Sequence, residues 1–142
     1  MKYYVVEPEV AGGLGERTRI DRSTGKMVVT TLHYQFDGWL GDELLESTPC
    51  YIVSERMAHA IEQAQLTGVR FDEVEVTTSD QFREFYPNRQ LPKFVWLKVE
   101  GKPGHNDFGI AQDLRLVTSE RAIEVLKQIG ISNMASIKPF EV

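Results

Sequence analysis

The chain has a single cysteine, Cys50, so no disulfide can close within it, and a reducing cytoplasm is the expected setting. It has no apolar run near the ~20 residues that a membrane-spanning helix needs. The stretch "MKYYVVEP" is too short and too polar to read as a signal peptide, and none is expected. The 16 basic residues are scattered and outnumbered by 21 acidic ones, for a net charge of -5. Nucleic-acid binding needs Lys and Arg to displace counterions from phosphates, so no nucleic-acid partner is expected. Catalytic signatures are missing as well. There is no Gly-x-Ser-x-Gly elbow, no HExxH pair and no Cys/His cluster. Gly12, Gly13 and Gly15 hint at a phosphate cradle, but Glu16-Arg17-Thr18 follow where a nucleotide loop needs Gly-Lys-Ser/Thr or a further Gly opening a helix. No catalytic residue, cofactor or metal is therefore expected. Cys50 has no base beside it in sequence and reads as a small buried hydrophobe.

What is present is the balance of an ordinary globular chain. The 142 residues are 42% hydrophobic and 26% charged. A chain of this size can bury roughly 70% of its unfolded surface, enough for one core. No linker composition interrupts it, so residues 1–142 are read as one domain.

Two stretches resemble each other. "YIVSERMAHAIEQAQLTGVRF" (51–71) and "RLVTSERAIEVLKQIGIS" (115–132) each pass from an apolar strand through Ser-Glu-Arg into an amphipathic helix and stop at Gly. Ser54 and Ser119 suit N-caps, with Glu55 and Glu120 where the helix dipole favours negative charge. Met57, Ile61 and Ala64 recur at helical spacing; Ala122, Val125, Leu126 and Ile129 do so again, about one turn shorter overall. The unit therefore reads as architecture, with capping serines and not nucleophiles.

The remaining segments read as strands and turns. "KYYVVE" is a strand stopped at Pro8, and the glycine-rich stretch after it is a loop with little core. "MVVTTLHYQF" is one strand with Val28, Leu32, Tyr34 and Phe36 on its core face and His33 on the wetter face. Asp42 caps a short helix carrying Leu44 and Leu45. "VRFDEVEV" is a strand with a bulge at Asp72-Glu73. Thr78 and Gln81 form a capping box for a short helix with Phe82, Phe85 and Tyr86 on one face. "KFVWLKV" is a central strand, apolar on both faces. The predicted fold is a single α+β domain: a mixed or mainly antiparallel sheet with two principal amphipathic helices, 54–67 and 119–129.

Two functional readings stay open. In the first, "FDGWLGDELLE" and "GHNDFG" form a surface for a protein partner. Asp37, Asp42, Glu43 and Glu46 surround Trp39 within a turn-shaped segment, and His105 and Asp107 add to it. The competing view of the same residues puts Trp39 in the core and leaves the carboxylates as solvated surface. In the second reading the chain is a small enzyme or a ligand- or metal-binding domain built on His33, Asp37, His105 and Asp107.

A family likeness runs through "EPEVAGGLG", "LHYQFDGWLGDELLESTPCYIVSER", "LTGVRFDEVEV", "LPKFVWLKVEG" with "DFG", and "LVTSERAIEVLKQIG". In this layout the chain is similar to a group of small uncharacterised bacterial domains. More loosely, it resembles immunity proteins of bacterial polymorphic toxin systems. Those combine a Val-Ser-x-Arg strand-to-helix step, a later Asp motif and a second Val-Ser-Glu-Arg helix. The resemblance implies a non-enzymatic protein that binds and blocks a toxin, with no catalytic set, and the net charge of -5 makes a basic toxin domain the expected partner.

Overall fold

The structure, a computed structural model, describes residues 2–141. Along the chain run β1 (Tyr3–Glu7), β2 (Gly12–Leu14), β3 (Arg19–Asp21), β4 (Val28–Thr31), β5 (His33–Phe36), β6 (Leu44–Ser47) and β7 (Cys50–Ser54). Then come α1 (Glu55–Gln63), β8 (Val69–Asp72), β9 (Glu75–Thr78), α2 (Asp80–Phe85) and β10 (Phe94–Val99). The chain closes with β11 (Phe108–Ile110), β12 (Leu116–Ser119), α3 (Glu120–Ile129) and β13 (Ser136–Phe140).

These strands form two four-stranded antiparallel sheets, β6-β7-β10-β8 and β11-β12-β1-β13. A third sheet, β2-β5-β9, has its β5–β9 pair parallel, and β3 and β4 make a separate hairpin. The result is a single α+β domain with several, mainly antiparallel, sheets. No helix among the described residues is long and apolar enough to cross a membrane.

The repeated Ser-Glu-Arg unit extends into the topology. In each four-stranded sheet a hairpin (β6-β7, β11-β12) leads into a capped helix (α1, α3), which returns as an edge strand (β8, β13). The third strand of each sheet comes from elsewhere in the chain: β10 follows its unit, β1 precedes its unit. The registers match, with Ser54 opposite Phe94 and Ser119 opposite Tyr3. So do the hydrogen bonds at the helix entry. The amides of Glu55 and Glu120 donate to the carbonyls of Lys93 and Lys2, and those of Ser54 and Ser119 to Glu43 and Asp107.

One core lies where both helices and both four-stranded sheets meet. It joins Met57 and Ile61 of α1, Ala122, Ile123 and Leu126 of α3, Leu44, Val53 and Leu97 of one sheet, and Val6, Leu116 and Phe108 of the other. Each large aliphatic side chain taken fully out of water contributes about 1.5–3 kcal/mol, as an upper figure. A second core fills the space between β6-β7-β10-β8 and β2-β5-β9, with Tyr34, Phe36, Ile52, Phe82, Phe94 and Trp96. Strand β10 therefore has both faces covered, as its two-sided apolar sequence predicts.

Several local expectations give way to tertiary context. The helix expected over 54–67 ends at Gln63, because Gln65 takes a left-handed backbone (φ 54) and Leu66 folds back into the core. The second helix is as expected, stopping at Gly130 (φ 145). The segment expected to form a helix from Asp42 is strand β6 instead. Leu44 and Leu45 are both buried, in different cores, an arrangement only the two faces of a strand provide. The strand expected over 27–36 splits into β4 and β5, and Val28 is exposed on the hairpin. The glycine-rich loop carries β2 and β3, and Ala11 within it is buried. The parity shift at Asp72-Glu73 marks a change of sheet and not a bulge, since β8 and β9 pair in different sheets. Helix α2 is capped by Ser79 and not Thr78, and it buries Phe82 but leaves Phe85 and Tyr86 exposed.

Candidate functional site

Ser54 and Ser119 are N-caps. Their hydroxyls accept from the amides of Met57 (3.0 Å) and Ala122 (3.1 Å). Each hydroxyl also donates to a carboxylate, Ser54 to Glu43 Oε1 (2.7 Å) and Ser119 to Asp107 Oδ1 (2.6 Å). Arg56 and Arg121, two residues past the caps, grip the same carboxylates. Asp107 further accepts from the Thr67 amide (2.9 Å). Burial pushes the carboxyls of Glu43 and Asp107 up, but the Arg and Ser hydrogen bonds outweigh it and hold both below their ordinary values. Glu43 and Asp107 are therefore fixtures of the two helix entries, not free surface charges.

Asp42 is also internal. Its carboxylate accepts from the Asn133 amide (3.0 and 2.9 Å) and side chain (2.8 Å), tying the turn after β5 to the turn after α3. That turn wraps a buried carboxylate, Glu9, which accepts from the amides of Leu40 (2.6 Å) and Asp42 (3.1 Å). Burial leaves the Glu9 carboxyl above its ordinary value despite those two donors. Glu46 is half-buried and accepts from Thr48 (2.8 Å), and burial likewise raises its carboxyl.

Trp39 is half-buried. Its indole N–H donates to the Asp42 carbonyl (2.8 Å), its edge meets Phe94 at 6.0 Å, and the Arg89 guanidinium stacks over it at 4.6 Å. Asp37 is exposed, and so is His105. Of the seven residues expected to face a partner, Asp37 and His105 are open, Trp39 and Glu46 are partly so, and Asp42, Glu43 and Asp107 serve internal contacts.

The four residues of the enzyme or ligand reading lie in different settings. His33 is buried, with the Arg17 amide donating to Nδ1 (3.2 Å) and Thr77 Oγ1 2.6 Å from Nε2. A ring nitrogen that accepts an amide carries no proton, so the other nitrogen donates to Thr77. Gly15 lies flat against this ring, where a Cβ would sit 2.1 Å from Nδ1. Asp107 is occupied by Ser119, Arg121 and Thr67, just before β11 of the sheet β11-β12-β1-β13, whereas His33 belongs to β2-β5-β9. Among the described residues no group of three or more His, Cys, Asp or Glu side chains is placed to hold a metal ion. Cys50 is buried and its thiol is pushed up to about 11 by burial.

The segments tied to the Trp39 turn carry more exposed apolar side chains than the sequence indicated. Leu40 is 70% exposed, Val10 65%, Phe85 66% and Tyr86 44%. They belong to linked segments. The amides of Asp37 and Gly38 donate to the Ala11 carbonyl, next to Val10, and Leu40 is held by Glu9. The Tyr86 ring lies beside Gly38 and packs on Phe82 at 5.5 Å. Sequence reasoning missed Val10, Phe85, Tyr86 and Arg89. Phe85 and Tyr86 share a helical face with Phe82, and periodicity cannot show that only the first turn of that face meets the core. Neither a protein-family model nor a curated protein matches this chain.

Proposed function

We propose that this chain is a non-enzymatic protein-binding domain, acting in the cytoplasm as an acidic inhibitor of a basic partner such as a bacterial toxin domain. The observation that carries the reading is that Val10, Leu40, Phe85 and Tyr86 are exposed on segments tied to the turn that holds the anchored Trp39. Single exposed apolar residues are common; several on linked segments around a half-buried Trp have the make-up of an interface centre. Asp37 adds a carboxylate beside it, and the net charge of -5 speeds encounter with a basic surface at low salt.

The test compares the parent chain with Leu40→Asp and Tyr86→Asp as immobilised baits in lysate of the native host. A basic protein held by the parent and released by both variants, each melting like the parent, supports the interface. With that protein in hand, Asp37→Lys slows association and flattens its salt dependence, while Leu40→Asp raises the off-rate. Equal capture by parent and variants moves the interface elsewhere. Charge reversal at Asp42 or Glu43 is unsuitable here, because both carboxylates hold the fold.

A further inference from the structure

Strand β8 is the open edge of the sheet β6-β7-β10-β8. The far edge, β6, is covered, since the Glu46 amide donates to the Glu9 carbonyl and Glu9 bridges Leu45. In an antiparallel ladder alternate residues point their amide and carbonyl toward one neighbour and then the other. The Glu55 amide bonds the Lys93 carbonyl, so Lys93, Val95 and Leu97 bond toward β7 and Trp96 and Lys98 toward β8. Their partners across β8 are Asp72 and Arg70. The Glu100 amide bonding the Gly68 carbonyl gives the same phase from the other end. The amides and carbonyls of Val69 and Phe71 therefore point outward, and no hydrogen bond reaches them among the described residues.

The charges on this edge are self-complementary when two copies run antiparallel. Arg70 and Asp72 flank Phe71 and are exposed; within the chain Arg70 pairs with Glu100 (2.7 Å) and Asp72 with Lys98 (3.0 Å), exposed pairs that a second copy can share. Two β8 strands run antiparallel about Phe71 set Arg70 of each copy opposite Asp72 of the other, and Phe71 against Phe71. The Phe71 ring lies on the helix face, beside a shallow hollow lined by Ala58, His59, Glu62 and Val95. The other edges are less suited. Strand β13 carries Pro139, which has no amide to donate, and β11 has three residues.

We propose that two copies of this chain pair through β8, antiparallel about Phe71, and join the two sheets into one of eight strands. The outward amide and carbonyl of Phe71 bond those of Phe71 in the other copy. Val69 comes opposite Glu73, whose amide is held by Asp72 Oδ1 (2.8 Å), and crossed Arg70–Asp72 contacts, added to the in-chain pairs, set the register. The interface is small and its ion pairs are exposed, so association is weak and concentration-dependent.

Sedimentation velocity over rising concentration tests this. The parent shifts from monomer to dimer. Arg70→Asp places two acidic residues on each edge and Asp72→Arg two basic ones, so each variant alone stays monomeric. An equimolar mixture of the two regains the dimer, because the acidic edge now faces the basic one. Should either single variant fail to fold by circular dichroism, the chain carrying both Arg70→Asp and Asp72→Arg keeps the self-complementary pattern and dimerises like the parent. A parent that stays monomeric, single variants that associate like the parent, or a mixture of folded variants that stays monomeric each overturns the proposal. None of these outcomes bears on partner capture through Leu40 and Tyr86.

Discussion

Arg56 and Arg121 each bind the end of the helix that the other begins. Arg56, in the first turn of α1, donates to the Ile129 carbonyl closing α3 (2.8 Å). Arg121, in the first turn of α3, donates to the carbonyls of Ala64 (3.0 Å) and Gln65 (3.1 Å) closing α1. The helices thus lie antiparallel, and each negative helix end receives a guanidinium that is itself held by a carboxylate. The fork of Arg suits this task, because one side chain serves a carboxylate and a carbonyl together.

Removing the carboxylate at the centre of one such cluster should cost more than shortening its Arg. Asp107→Ala leaves the Ser119 O–H and the Thr67 N–H without an acceptor, and should lower stability by about 2–4 kcal/mol in urea melts. Arg121→Lys should lower the melting temperature by less, since Asp107 keeps its other donors. An Arg121→Lys loss equal to that of Asp107→Ala would put the energy in the guanidinium rather than in the buried carboxylate.

The same clusters set an acid limit. Glu43 and Asp107 ionise more readily folded than unfolded. Their contribution is therefore complete above the ordinary carboxylate range near about 4 and is lost as pH falls through their lower folded values. Glu9 acts in the opposite sense: its raised folded value makes its ionisation a cost, which lessens as pH falls. Stability measured by urea melts from neutral pH downward should fall more shallowly in Glu43→Gln plus Asp107→Asn than in the parent. Parallel acid limbs would assign the acid sensitivity to other carboxylates.

Thr118 should be improvable. Its hydroxyl is buried without a hydrogen-bond partner among the described residues, and the equivalent residue in the other half of the repeat is Val53. Thr118→Val keeps the shape and removes the unpaired hydroxyl, so stability should rise by about 1 kcal/mol. A decrease in the urea midpoint would mean that the hydroxyl has a partner, such as a bound water.

Cys50 should be silent in the folded chain. Burial and a thiol raised to about 11 leave almost no thiolate at pH 8. Iodoacetamide should modify it only after denaturant is added, as followed by intact mass. Rapid labelling of the native chain would show that β7 opens locally.

The parts of the fold legible in the sequence are those governed by short-range rules. The caps Ser54 and Ser119, the stripes of α1 and α3 and the two-sided β10 follow from spacing and side-chain chemistry within a few residues. The misread segments are those where distant contacts decide. Leu44 and Leu45 fit a helical turn locally, yet become a strand because each is claimed by a different core. Phe85 and Tyr86 look like core residues on a helix face and end on the surface.

The candidate site divides in the same way. The sequence alone determined the repeated strand-cap-helix unit, the acidic balance and a turn carrying Trp39 after β5, since each is local composition or period. Only the tertiary structure decided that Glu43 and Asp107 are matched partners of the two Ser-x-Arg steps. Glu43 lies 11 residues from Ser54, and Asp107 lies 12 from Ser119. Those distances are set by hairpins that fold each carboxylate back onto its cap, and no residue-by-residue period encodes them. The exchange of Arg56 and Arg121 between helices spans still longer separations. It exists because two like units packed antiparallel bring each helix start to the other's end.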